Sequence, residues 1–155
     1  MSSRTWAIAI LAAACLLGGS RRADAAGSCT ISTTSVAFGT YNVFSPTALD
    51  STGTVTIKCN GSASNVSIDL DKGGAGLFAN RAMSGSGTSL FYNLFVDAAR
   101  ASIWGDGTES TSHYTNANPA NNQNIVVTIY ARVSGGQDVP AGSYTNSITA
   151  VVNFF

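Results

Sequence analysis

Charge is scarce in this 155-residue sequence. Charged residues make up 10% of the chain, and eight Lys and Arg balance eight Asp and Glu, so the formal net charge is zero. An average globular protein has about 25% charged residues. The sequence therefore lacks both a basic surface for nucleic acid and an acidic tail, and we expect no nucleic-acid partner.

Residues that carry catalysis or bind metals are also few. The sequence has three Cys and one His, His113, with Glu109 close by in a polar stretch. The three Cys are assigned below to a cleaved leader and to a disulfide, and a single His without a free Cys cannot build a zinc site. A hydrolase that uses His113 is the enzymatic alternative, but no serine lies in a nucleophile-elbow motif. We predict no catalytic residues, no metal and no cofactor, and hence no enzyme.

Two other groups of residues have a structural and a functional interpretation. Asp69 and Asp71 fall on the polar face of a predicted strand, which is typical of a solvated edge but also compatible with calcium binding. Trp104 with Tyr92 or Tyr114 is compatible with a sugar-stacking surface, whereas buried sandwich aromatics are the simpler interpretation.

The longest apolar run lies near the N-terminus and is too short to span a membrane. Trp6–Leu17 follows a short positive segment, Met1–Arg4, and is shorter than the roughly 20 residues that a bilayer requires. Ala23-Asp24-Ala25 then supplies a small-x-small cleavage pattern. We predict a signal peptide over residues 1–25, export, a mature domain over residues 26–155, and no membrane insertion after cleavage. Acylation of Cys15 in a lipoprotein is the alternative.

Two cysteines, Cys29 and Cys59, remain after this cleavage. An even pair in an exported chain predicts one disulfide, with two buried free thiols as the alternative. Closing a loop of about 30 residues stabilises a domain by roughly 3 to 4 kcal/mol on the chain-entropy model.

The mature chain shows an alternation of apolar and polar residues that predicts β-strands. Glycine-rich turns separate the segments, and residues 109–124 are predicted to form a surface loop. Many short strands joined by turns favour an all-β, antiparallel sandwich of immunoglobulin-like type. The predicted strands are residues 55–59, 66–70, 90–96, 125–133 and 144–154, with a first strand within 28–38.

Four segments carry a resemblance to a known family: Val36–Tyr41, Tyr92–Arg100, Trp104–Thr108 and Gln137–Tyr144. Together they resemble the spore coat protein U domain family, which includes subunits of archaic chaperone–usher pili. The resemblance implies an incomplete immunoglobulin-like pilin that lacks its last strand. It also implies three partners: a periplasmic chaperone, an outer-membrane usher and other pilin subunits. A self-contained secreted coat or carbohydrate-binding module is the alternative.

The end of the sequence agrees with an incomplete fold. Phe155 directly follows an apolar strand, so the last strand is expected to border an open groove to which another chain adds a strand. We predict that Ile148, Val152 and Phe154 line this groove and that the first strand, with Ile31, forms its other wall.

Cleavage after Ala25 leaves only Ala26, Gly27 and Ser28 before Cys29. This tail is too short and too small to fill apolar pockets in a neighbour. We therefore expect a subunit that accepts a strand without donating one, which suits a terminal, adhesive position. Its expected route is through the periplasm to the cell surface or an extracellular pilus.

Overall fold

The structure is a computed structural model that describes residues 27–155. The predicted signal peptide, its cleavage after Ala25 and the alternative acylation of Cys15 lie outside the described residues. Residues 27–155 contain no membrane-spanning helix. They include both cysteines of the predicted disulfide and all the predicted strands.

Within residues 27–155, eight antiparallel strands form two sheets, which confirms the predicted all-β sandwich class. A five-stranded sheet has the order β1-β2-β7-β5-β4, and a three-stranded sheet has the order β6-β3-β8. The strands are β1 Ser28–Thr34, β2 Leu49–Asn60, β3 Val66–Leu70, β4 Ala82–Gly85, β5 Thr88–Phe95, β6 Tyr114–Asn116, β7 Asn124–Val133 and β8 Ala150–Asn153.

Alternation along the strands explains the core. In β2, Val55, Ile57 and Cys59 are buried while the residues between them face outwards, and β3 repeats the pattern from Val66 to Leu70. Successive strand residues point to opposite faces, so each strand contributes one apolar row to the space between the sheets. Trp104 is fully buried and donates from its indole Nε1 to the Ile68 carbonyl at 2.8 Å.

The disulfide joins the first two strands. Cys29 of β1 and Cys59 of β2 are direct partners in the register and are bonded to each other. This confirms the predicted bridge between neighbouring strands. The ladder continues for seven residue pairs, from Ser28 opposite Asn60 to Thr34 opposite Thr54.

A buried arginine holds the sheets and loops together beside the end of β3. The guanidinium of Arg81 donates to the carbonyls of Asp71 and Trp104, each at 2.7 Å from Nη2, and to Asn93 Oδ1 at 3.0 Å. Burial lowers the pKa of Arg81. Because buried charges need hydrogen-bond partners, these acceptors fix the chain around Arg81. The Phe78 ring lies 5.2 Å from the Arg81 guanidinium carbon.

Two sequence predictions need correction. Residues 109–124 are not entirely a surface loop, because β6 pairs with β3 through Tyr114 opposite Ile68. A strand of three residues is too short to display a period. Residues 144–154 do not form one strand: Thr145 bridges Ser84 of β4, and only the later residues pair with β3 as β8.

Candidate functional site

A groove lies between the segment that follows β1 and the segment that precedes β8. After Thr34 the chain has no strand until Leu49. The segment after Thr34 forms the first wall of the groove. The Ser51 hydroxyl donates to its Ala37 carbonyl at 2.6 Å, and the hydroxyl of its Tyr41 donates to the Ser134 carbonyl at 3.0 Å. The wall is therefore attached to β2 and to the loop after β7.

The second wall changes sheets along its length. Ser84 and Thr145 exchange two backbone hydrogen bonds of 2.9 and 3.1 Å, which places the beginning of this wall on the edge of the five-stranded sheet. Four residues later, the Asp71 amide donates to the Thr149 carbonyl at 3.0 Å, and β8 then continues on the edge of the three-stranded sheet. The second wall thus pairs first with β4 of the five-stranded sheet and then with β3 of the three-stranded sheet.

A cavity of about 460 Å³ opens between these walls. A second cavity of about 920 Å³ extends towards Tyr41 and Val139 and shares part of the same lining. Buried core side chains form the floor of the smaller cavity, so the cavity reaches down to the core of the sandwich. The floor includes Leu70, Tyr92, Leu94 and Ile129.

The backbone of β8 presents hydrogen-bonding groups to the open side. In an antiparallel ladder, alternate residues direct both their amide and carbonyl to the same neighbour. Since the Thr149 carbonyl bonds to Asp71, residues 149, 151 and 153 face β3, and the backbone groups of Ala150 and Val152 face away. Among residues 27–155, β3 is the only strand that pairs with β8.

The side chains of this segment alternate in the same way. Ile148, Ala150, Val152 and Phe154 are half-buried against the core, and the residues between them are exposed. An unpaired strand edge beside an accessible apolar row is the arrangement that accepts an added β-strand.

The predicted groove residues occupy different parts of this region. Ile148 lines the smaller cavity. The other three residues, Ile31, Val152 and Phe154, pack against the core but do not line the smaller cavity. Ile31 lies opposite Ile57 in the β1–β2 ladder. The end of β1 contributes only Thr33 and Thr34 to the wall.

Sequence reasoning did not assign several residues that line the groove. Val36 and Phe38 continue the wall beyond β1, and Tyr144 and Asn146 stand opposite. Val36 and Phe38 are two residues apart, and this spacing places both side chains on the same face of an extended segment. The Phe38 ring packs edge-on against Tyr92 with centroids 5.9 Å apart.

One polar pair interrupts the apolar floor. The Asn146 side-chain amide donates to the Tyr92 hydroxyl at 3.1 Å, and its oxygen accepts the Ser147 amide at 2.8 Å. Burial raises the pKa of Tyr92, so the hydroxyl stays protonated at neutral pH.

The residues considered for catalysis lie elsewhere, on the outer side of the three-stranded sheet. His113 Nδ1 is 2.8 Å from Asp69 Oδ1, and Asn153 donates to the other oxygen of Asp69 at 2.7 Å. Glu109 instead forms an ion pair with Lys72. Within the described part of the chain, the hydrogen-bond partner of His113 is the Asp69 carboxylate.

The calcium and sugar interpretations receive no geometric support. Asp71 Oδ1 accepts the Gly73 amide at 2.9 Å, whereas Asp69 is engaged by His113 and Asn153. Over residues 27–155, three or more His, Cys, Asp or Glu side chains nowhere gather in a metal-binding arrangement. Trp104 is fully buried and presents no face to a sugar.

The fold and the groove define an antiparallel β-sandwich with an unpaired edge beside an accessible core. The model of the spore coat protein U domain matches residues 19–151, and the chain belongs to this family. No curated protein shows significant similarity to it.

Several solved structures are similar to the chain, and one of them matches at a TM-score of 0.56 and 24% identity. It is the crystal structure of the CsuC–CsuE chaperone–tip adhesion subunit pre-assembly complex from archaic chaperone–usher Csu pili of Acinetobacter baumannii. The match covers 83% of this chain and 40% of the matched chain. At this identity the likeness concerns the fold, and the chain spans less than half of its neighbour.

Proposed function

We propose that this chain is an exported structural subunit of a surface pilus assembled by the chaperone–usher route. A periplasmic chaperone first inserts a β-strand into the groove, and a neighbouring pilin subunit replaces it at the outer-membrane usher. The subunit passes through the periplasm to the cell surface. It performs no catalysis and takes no cofactor.

The open edge of β8 is the observation that carries this proposal. The backbone groups of Ala150 and Val152 face away from β3, beside a cavity that has core side chains at its floor. Apolar surface and unpaired backbone left in water are a liability that an added strand removes. A strand from another chain would complete the ladder and cover the floor.

Membership of the spore coat protein U domain family supports the proposal, as does the similarity in fold to a chain of the CsuC–CsuE complex. A self-contained coat or carbohydrate-binding module is the competing function. Such a module needs no added strand, and the burial of Trp104 removes its candidate sugar-stacking residue.

We also propose a terminal, adhesive position in the fibre. It depends on the predicted cleavage after Ala25, which leaves Ala26, Gly27 and Ser28 before Cys29. N-terminal sequencing of the exported protein tests the premise. A mature N-terminus well upstream of Ser20 would remove it.

Strand addition can be tested in the exported chain itself. A strand of alternating valines and polar residues is fused behind Phe155 through a flexible Gly/Ser linker, and the control fusion has the same composition in blocks. Tethering raises the effective concentration to the millimolar range. We expect the thermal midpoint to rise by about 10 °C or more over the control, because the strand buries apolar area at about 25 cal/mol per Å². Equal midpoints for the two fusions and the unfused chain would favour the self-contained module.

A further inference from the structure

Three tyrosines line the two cavities, and they differ in how their hydroxyl protons are used. The Tyr41 hydroxyl donates to the Ser134 carbonyl at 3.0 Å, and the Tyr144 hydroxyl donates to the Pro140 carbonyl at 2.7 Å. The Tyr92 hydroxyl accepts from Asn146, and over residues 27–155 its own proton has no acceptor. The Tyr92 hydroxyl, at the floor of the groove, can therefore still donate one hydrogen bond.

The position of this donor is fixed. Asn146 cannot exchange its amide nitrogen and oxygen, because its oxygen accepts the Ser147 amide while its nitrogen holds Tyr92. Phe38 packs against the Tyr92 ring, and Tyr92 is 7% exposed. The hydroxyl therefore has a defined place in the floor and cannot swing to another partner.

An occupant of the groove would change the surroundings of this hydroxyl. Leu70, Leu94 and Ile129 line the same cavity and offer no side-chain acceptor, and the hydrogen-bond partner of the hydroxyl within residues 27–155 is Asn146. A strand that excludes water and places an aliphatic side chain over the hydroxyl leaves a buried donor unsatisfied, which is costly. A strand that places an oxygen there satisfies it. A carboxylate is a poor choice, because its charge would be buried without a partner.

We propose that the Tyr92 hydroxyl, positioned by Asn146, selects a threonine or serine at one inward-facing position of the strand that occupies the groove. This inference rests on the proposed function. Side chains of a strand alternate between faces, so a slip by one residue turns the apolar row outwards, and a slip by two places an aliphatic residue over the hydroxyl. The single polar contact thereby fixes the register of the added strand.

Synthetic peptides can test this selection. The host peptide has valine at every inward position and polar residues between them, and each valine in turn is replaced by its near-isostere threonine. Dissociation constants are measured for the exported chain and for its Tyr92→Phe, Asn146→Ala and Tyr130→Phe variants. Tyr130 lies on the outer face of β7, so its variant controls for the loss of a tyrosine hydroxyl.

We expect threonine to strengthen binding about fivefold at one inward position of the peptide and to weaken it at the others, which corresponds to a net hydrogen bond of about 1 kcal/mol. Tyr92→Phe should abolish the gain, Asn146→Ala should reduce it, and Tyr130→Phe should preserve it. The inference is overturned if the peptides bind and threonine has the same effect in the parent chain and in Tyr92→Phe, an outcome that leaves the proposed function standing. Failure of every peptide to bind would overturn both.

Discussion

The two ends of the described chain supply edge strands that are held very differently. β1 pairs with β2 over seven residues and is bonded to it through Cys29 and Cys59. β8 pairs with β3 over four residues, and its other side faces the groove. The N-terminal strand is therefore held by a long ladder and a covalent bond, whereas the C-terminal strand is held by a short ladder and has one accessible edge.

Removing the disulfide should have the largest effect on this contrast. The double variant Cys29→Ala/Cys59→Ala loses the closure of a 30-residue loop, so we expect the free energy of unfolding to fall by about 3 to 4 kcal/mol. Urea denaturation of the exported protein measures it, with the reduced parent chain as the control. A loss below about 1 kcal/mol would mean that the β1–β2 ladder alone holds the first strand.

Isoleucines from the two regions should respond differently to a strand. Ile57 is fully buried, so Ile57→Ala should cost about 3 kcal/mol with or without a fused strand. Ile148 is half-buried and lines the cavity, so Ile148→Ala should cost about 1 kcal/mol in the open chain.

In the chain with a fused strand, Ile148 gains a covering layer, and Ile148→Ala should cost about 2 kcal/mol or more. Denaturant midpoints of the parent chain and the two variants, each with and without the fused strand, give the comparison. If the cost at Ile148 does not change upon fusion, the strand is not packing in this groove.

The contact between β4 and the second wall offers a smaller test. A Cβ at Gly85 would overlap the Ser143 carbonyl, so Gly85→Ala should displace the wall and cost about 1 to 2 kcal/mol. Gly76→Ala is the matched control, because a Cβ there meets nothing within 4 Å. Hydrogen exchange of the Thr145 amide, which donates to Ser84, reports the displacement directly. Unchanged exchange in Gly85→Ala would show that the wall adapts.

The smallest effect concerns an ion pair on the outer face of the β2–β7 ladder. Arg132 donates to both carboxylate oxygens of Asp50 at 2.7 and 2.8 Å, and this hydrogen bonding lowers the pKa of Asp50. A lowered carboxyl pKa stabilises the folded state above the unfolded value near pH 4, and the contribution disappears as the pH falls through the folded value.

Asp50→Asn should therefore lower stability by less than about 1 kcal/mol at pH 7 and by nothing measurable near pH 2. Thermal midpoints across this pH range measure the difference, and Asp138→Asn controls for the change in net charge. A difference between parent and Asp50→Asn that persists at pH 2 would contradict the ionic origin.

The sequence predicts the regular parts of this fold because their residues alternate. Val55, Ile57 and Cys59 of β2 form such a row, and the pairing of Cys29 with Cys59 followed from export and from the even cysteine count. The short β4 and β6 have too few residues for a period. Burial patterns also do not reveal the backbone partner of a segment, and so the change of sheets between Thr145 and Thr149 was not visible.

Of the residues that line the smaller cavity, sequence reasoning named Ile148 and missed most of the others. Ile148 was assigned from its parity along the last strand, which is a local property. Tyr92 and Asn146 are 54 positions apart, and their hydrogen bond depends on the approach of two segments that no local pattern describes. Arg81 shows the same difficulty, because its acceptors at Asp71 and Trp104 are backbone carbonyls and leave no trace in residue types.

The position of the disulfide also determines how the domain carries mechanical load. A pulling force applied at Ser28 reaches Cys29 after one residue and passes through a covalent bond into β2, which lies between β1 and β7 in the five-stranded sheet. Residues 30–58 lie inside the closed loop and are shielded from tension. β1 therefore cannot be peeled from β2 one hydrogen bond at a time, and tension applied at Ser28 leaves β2 at Asn60 and passes on towards β3, so that most of β2 is bypassed together with β1.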